Sequence, residues 1–371
     1  MRVAFLAGHL SRRASGVRQT IEGLSGALAT RGMEIKVFGI RDAAWTQDAA
    51  QWKGATAEVF DRFGPANFGF MPKLGRALHT YDPDIVHLHG IWMYSSAVAA
   101  GWAERTGRPL AISPHGMLAP AALSYSWGRK RIVRALFQDR CFALASGYHA
   151  TAEAEAANIR AYFGEVPVAV VPNGVDDSSV TLPAFSERRK RVLAIGRLHP
   201  VKGYDRLLRA WALVEGDVPG WTLEIAGPDP DGHGAILRTL IKELGLSRAT
   251  IGEAKFGTER DASIADARLF ALPSLTENFA LTVTEALVCA TPVLASTGTP
   301  WSALPEQNCG WWVLPEPKAL AEALCVALTL PEDQLAAMGV NGRRWARETF
   351  CWDRITLKMT GFYDALLRGA S

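Results

Sequence analysis

The stretch 273-PSLTENFALTVTEALVCATPVLASTGTP-300 decides how this chain is read. It opens as a loop carrying a carboxylate at Glu277. A helical pattern follows, with Leu281, Thr284, Leu287 and Val288 on one face at spacings of three and four. A second carboxylate, Glu285, sits on this helix. The apolar run TPVLAS then reads as a buried parallel strand, broken by Gly298 and Pro300.

With Asn278 as the helix cap, Glu285 lies about two turns inside, and the carboxylates stand about 10–12 Å apart along the axis. Two carboxyls that share one glycosidic bond stand about 5 Å apart, or roughly 6.5–9.5 Å when a water fits between them. The pair instead suits a ligand with hydroxyls at both ends and an anion between, facing the free N–H groups and positive dipole around Phe279, Ala280 and Leu281. A nucleotide sugar has that layout. On spacing alone, a surface helix with two unrelated glutamates fits as well.

Outward from this stretch, Val192–Ile195 reads as a strand that ends in GRLHPVKG, residues 196–203. Arg197 and Lys202 flank the turn before a helix at Tyr204–Leu213. Two fixed cations there can neutralise a departing diphosphate.

At these residues the chain resembles the family 4 retaining glycosyltransferases of GT-B fold. The frame P-S-x-x-E-[GN]-F-G-[LM]-x-x-x-E-A is matched by Glu277, Asn278, Phe279, Leu281, Glu285 and Ala286, and G-R-L-x-x-x-K-G is matched in full. Ala280 stands where the family has glycine, which trades backbone freedom for helix propensity. The resemblance implies an α/β protein of two Rossmann-like doubly wound domains facing a cleft. The donor would lie mostly on the second domain, and the last helix would cross back to the first. It implies retaining transfer without metal or cofactor, the departing phosphate oxygen taking the acceptor proton. Glu277 would orient the donor sugar, Glu285 hold the ribose, and Arg197 and Lys202 stabilise the diphosphate. The base would be held near Gly227 and near Lys255-Phe256-Gly257, largely through backbone.

Composition sets the frame. With 371 residues the chain can hold two cores, and 49% apolar with 21% charged residues is ordinary for a globular protein. A formal charge of +3 gives no argument for nucleic acid. No run of 18 apolar residues is present, and MRVAFLAG reads as a first strand rather than a signal peptide. Five scattered cysteines without CxxC spacing point to a reducing, cytoplasmic setting and give no metal or disulfide framework.

In the first half, Arg2–Ala7, Glu34–Ile40, Ile85–Leu88 and Leu110–Ser113 alternate with helical patterns such as Val17–Thr30, as in a parallel sheet. Ligands bind such sheets at the carboxyl ends of the strands. The first such end is GHLSRRASGV, residues 8–17. Gly16 just before the helix would let backbone approach an anion, and Arg12 and Arg13 would reinforce it, although solvated loop arginines are commoner. No GxGxxG appears, which argues against a dinucleotide site. His87 and His89 share a face without a carboxylate or cysteine at ligand spacing, so hydrogen-bonded histidines fit better than a metal pair.

His115 ends the next strand before Gly116. On position alone it serves structure or cleft equally; the resemblance makes it the active-site histidine contacting the transferred sugar. Leu118–Arg140 reads as a basic amphipathic helix, with Arg129, Lys130, Arg131 and Arg134 among Ile132, Val133, Leu136 and Phe137. It fits either a buried apolar stripe or a contact with an anionic bilayer near Trp127.

The strand Val168–Val171 and then Pro172-Asn173-Gly174 end the first domain in the family pattern, with Asn173 among the donor contacts. The expected domains are 1–180 with the helix from 353 to 371, and 181–352, joined by a polar linker at Thr181–Lys190. The segments SPHGML and CGWW resemble bacterial polysaccharide and lipopolysaccharide enzymes of the family, which favours a lipid-linked saccharide acceptor. Two rival readings use the same residues: a nucleotide-sugar epimerase of GT-B fold, and a non-catalytic carbohydrate binder drawing on the twelve tryptophans.

Overall fold

A computed structural model describes residues 1–11, 15–125, 127–177 and 180–369. The central apolar runs become strands buried on both faces. In β1 (Arg2–His9), Val3, Phe5 and Ala7 face one core, while Ala4 and Leu6 face another, as alternation along a strand requires. The remaining strands of the first sheet are β2 (Glu34–Arg41), β3 (Thr56–Asp61), β4 (Ile85–His89), β5 (Leu110–Ser113), β6 (Gly147–Ala150) and β7 (Val168–Val170). They pair in parallel in the order β3-β2-β1-β4-β5-β6-β7.

A second winding starts at β8 (Arg189–Ile195) and continues with β9 (Thr222–Ala226), β10 (Ala249–Gly252), β11 (Ala267–Leu272), β12 (Val293–Ser296) and β13 (Gly310–Val313). The six strands are also parallel, in the order β10-β9-β8-β11-β12-β13. Val192 and Ala194 of β8 face one core and Leu193 and Ile195 the other. In both sheets the strand order reverses beside the first strand. Loops leave the carboxyl ends in opposite directions there and open a crevice.

The chain divides into two compact units, Met1–Gly174 with Trp352–Ser371, and Val175–Cys351. The first division falls ahead of the 180/181 boundary read from the sequence. Thr181 to Lys190 belongs to the second unit, where the Phe185 ring lies 5.2 Å from the Arg188 guanidinium and 5.6 Å from that of Arg268. Two cations on one ring make a fixed contact out of a polar stretch.

The last helix, Trp352–Gly369, returns to the first sheet. Ile355, Met359, Phe362, Tyr363 and Leu366 bury against Val3 and Phe5 and against Ile21 and Leu24 of the helix Ser15–Thr30. A helix has no stable apolar stripe of its own in water, so this one depends on the sheet it covers. Met359→Ala, at a fully buried position, is expected to cost the first unit about 2–5 kcal/mol. In urea unfolding followed by exchange of assigned amides, protection should fall in the first unit and persist in the second.

Candidate active site

In the second unit, the loops after β8, β11 and β12 close on one another. The amide of Leu275 donates to the Val201 carbonyl at 2.8 Å, and the amide of Glu277 to the Gly298 carbonyl at 2.8 Å. Gly203 adopts φ +67°, and a Cβ there would stand 2.3 Å from the Pro273 carbonyl oxygen. Only glycine satisfies both demands. This approach sets Lys202, at the end of the short turn Pro200–Lys202, against Glu277: Nζ to Oε1 is 2.6 Å. The Ser274 hydroxyl donates to the same oxygen at 2.7 Å. Arg197, in the loop after β8, is exposed and makes no hydrogen bond or ion pair among the described residues.

Glu285 belongs to a different pair. Its Oε1 lies 2.9 Å from Arg260 Nη1, while Oε2 is buried without a partner. Burial pushes this carboxyl above its ordinary range, Arg260 pulls it down, and Asp261 pushes it up.

The helix itself starts later than Asn278. It runs Leu281–Val288 with Ala280 as N-cap at φ +66°, ψ +71° and no side-chain cap bond. The axial estimate of carboxylate separation therefore does not apply, because Glu277 lies in the loop. Ala280 gains no helix propensity at a cap, and it sits where a Cβ is strained. Phe279 is core: it packs on Trp301 and Phe350, and its carbonyl accepts from Trp301 Nε1 at 2.6 Å. Leu281 and Asn278 are half-buried beside it.

Gly227 is demanded by packing, since a Cβ there would stand 1.8 Å from the Gly196 carbonyl oxygen. Phe256 is 63% exposed and precedes the helix Gly257–Ala265, while neighbouring Lys255 pairs with Glu224.

In the first unit the carboxyl ends of β4, β5 and β6 carry a chain of buried polar groups. His149 Nε2 lies 2.8 Å from the Val171 carbonyl, which can only accept, so this nitrogen carries the proton. Burial lowers the pKa of His149 and His87 and keeps both rings neutral. Ser113 then donates to His149 Nδ1 at 2.7 Å and accepts from His87 Nε2 at 2.7 Å. Tyr363, on the last helix, donates to His87 Nδ1 at 2.7 Å. His89 Nδ1 lies 3.0 Å from His115 Nε2. Both histidines of β4 are thus engaged by side chains, and no group of three or more His, Cys, Asp or Glu among the described residues is arranged to hold a metal ion.

His115 stands in the left-handed region at φ +51°, and burial lowers its pKa to about 4. Glu155 holds the following turn by accepting from the Gly116 amide at 2.7 Å.

The remaining expected residues are scattered. Gly16 is the second residue of the helix Ser15–Thr30, where a Cβ would meet nothing within 4 Å. Asn173 is buried at the end of the first unit. Arg12 and Arg13 lie outside the described residues.

The basic segment is not one amphipathic helix. It breaks into helices Pro120–Ser124 and Trp127–Val133, a wide turn at Arg134–Gln138, and a helix at Asp139–Ala143. Instead of a buried stripe, it leaves Trp127, Ile132 and Leu136 exposed, at 62–72%. Arg129 and Arg131 are exposed beside them, whereas Lys130 turns inward over the Trp92 ring and donates to the Ala122 carbonyl. No single helix among the described residues is long and apolar enough to cross a membrane.

Two doubly wound parallel sheets, with the Lys202–Glu277 and Arg260–Glu285 pairs in the second unit, match the GT-B class of transferases, and comparison with known proteins agrees. The Glycosyltransferase Family 4 model matches residues 14–179 and the Glycosyl transferases group 1 model residues 182–345. The chain belongs to glycosyltransferase family 4.

Among its relatives, the MMP alpha-(1->4)-mannosyltransferase of Mycolicibacterium hassiacum is 31% identical over 64% of this chain, and the match spans 60% of that relative's length. The D-inositol 3-phosphate glycosyltransferase of Jonesia denitrificans is 26% identical over 100% of the chain and 97% of the relative. Anabaena HepE, solved with UDP and glucose, shares the fold with a TM-score of 0.79 at 20% identity, over 98% of this chain and 99% of that one.

Arg260 and Tyr363 carry no signal in sequence reading, because their partners Glu285 and His87 lie on other elements.

Ala280→Gly is expected to raise the urea midpoint, by up to about 1 kcal/mol in stability. It relieves the left-handed strain and gives back part of the gain as chain entropy. An unchanged or lowered midpoint would contradict the strain.

Proposed function

We propose that the protein moves a sugar from a UDP- or GDP-sugar to a hydroxyl of a lipid-linked saccharide, with retention and without metal or cofactor. The observation that carries this reading is the Lys202–Glu277 pair at 2.6 Å, where β8 and β11 open a crevice. An ammonium already bound to a carboxylate beside an uncommitted guanidinium suits a diphosphate flanked by hydroxyls. The names of the relatives, with a mannosyl donor chemistry and a phosphorylated polyol among them, support sugar transfer to a hydroxyl.

As the bond between the anomeric carbon and the phosphate oxygen breaks, negative charge grows on the diphosphate. Lys202 and Arg197 stabilise that charge more than the ground state, which is what lowers a barrier. The acceptor oxygen bonds to the same face of the carbon, and its proton passes to the departing phosphate oxygen. Glu277 orients the sugar hydroxyls, and neutral His115 offers the sugar hydrogen bonds. Lys202→Ala and Arg197→Ala should each lower turnover by about 10²–10³-fold. Wild-type turnover in either variant would reject its role. Thermal shift with UDP, GDP and ADP identifies the base, since stabilisation grows as RT ln(1 + [L]/Kd).

The lipid side of the proposal rests on Trp127, Ile132 and Leu136 standing exposed beside Arg129 and Arg131. Apolar side chains flanked by arginines match the boundary between headgroups and acyl chains at the cytoplasmic face of an anionic membrane. Sedimentation with phosphatidylglycerol vesicles should be lost in a Trp127→Ser, Arg129→Glu, Arg131→Glu variant. It should also be absent with phosphatidylcholine alone.

A further inference from the structure

We propose that Arg260 is a positioning residue for the nucleotide: by holding Oε1 of Glu285, it leaves Oε2 as the acceptor for a ribose hydroxyl. The inference rests on the nucleotide-sugar reading above and deepens it.

Arg260 stands in the first turn of the helix Gly257–Ala265, and Glu285 midway along the helix Leu281–Val288. The guanidinium spans both neighbouring carboxylates, at 2.9 Å from Glu285 and 3.2 Å from Asp261. Arg260 therefore belongs to a built site rather than to a solvated surface pair. The other Glu285 oxygen is buried and unpartnered. A buried carboxylate oxygen without a donor is costly, and a ligand that brings an O–H removes the cost. With Oε1 already occupied, Oε2 is the free acceptor on this side chain.

The arrangement has a pH signature. Burial and Asp261 favour the protonated carboxyl and Arg260 favours the ionised one; these are the charged groups acting on Glu285 among the described residues. Hydroxyl capture needs the ionised form, so affinity is present above the carboxyl's pKa and lost as pH falls through it. Removing Arg260 moves that loss to higher pH.

Titration calorimetry would compare wild type with Arg260→Gln, Arg260→Ala and Arg260→Lys. The ligands are the nucleoside diphosphate giving the largest thermal shift and its 2′,3′-dideoxy counterpart. Arg260→Gln and Arg260→Ala should weaken the hydroxylated nucleotide about tenfold at about pH 6 and less at about pH 8.5, leaving the dideoxy ligand unchanged. Arg260→Lys should restore most of the affinity. Equal losses for both ligands, no loss, or a loss independent of pH would overturn the inference. Glu285→Gln separates the two levels. If it leaves the hydroxylated nucleotide bound as before, the donor reading itself fails. If it weakens binding while Arg260→Gln does not, only the role of Arg260 falls.

Discussion

The second unit depends on one backbone crossing. The turn at Gly203 passes so close to Pro273 that a single methyl group at residue 203 would collide with a carbonyl oxygen. That contact fixes the loop after β8 against the loop after β11, and the Lys202–Glu277 pair exists because of it. Gly298 repeats the device one strand further on, its missing side chain leaving room for the carbonyls of Ser274 and Leu275. The site is thus set by main-chain sterics before electrostatics contributes. A half-buried ion pair then gains from being held in place, because little side-chain entropy is left to lose when it forms.

The sheets were readable in the sequence because β1 and β8 are apolar on both faces, and that pattern permits little besides a buried parallel strand. The motif around Lys202 and the one around Glu277 were readable as spacings. What spacing cannot carry is pairing between elements. Arg260 meets Glu285 only after two helices pack, and Tyr363 meets His87 across 276 residues. The cap at Ala280 is hidden for a related reason: a left-handed φ is invisible in an alanine, and Asn278 is the residue of ordinary capping type. In the basic segment, residue types suggest one helix, but the turn at Arg134–Gln138 shifts the register and leaves the apolar residues outward.

The histidines of the first unit show how a polar chain can sit inside an apolar core. Each member has a single direction of donation, from Tyr363 through His87 and Ser113 to His149 and the Val171 carbonyl. Such a chain is satisfied only when every ring is neutral, which burial also favours. It ties four strand ends to the last helix.

That last helix has a consequence for the order of assembly during synthesis. The second unit is continuous in the chain and can close as soon as its own residues have left the ribosome. The first unit emerges earlier, yet one face of its sheet, already carrying the helix Ser15–Thr30, stays only partly covered until the polypeptide from Trp352 onward arrives. Although translated first, it is the unit completed last.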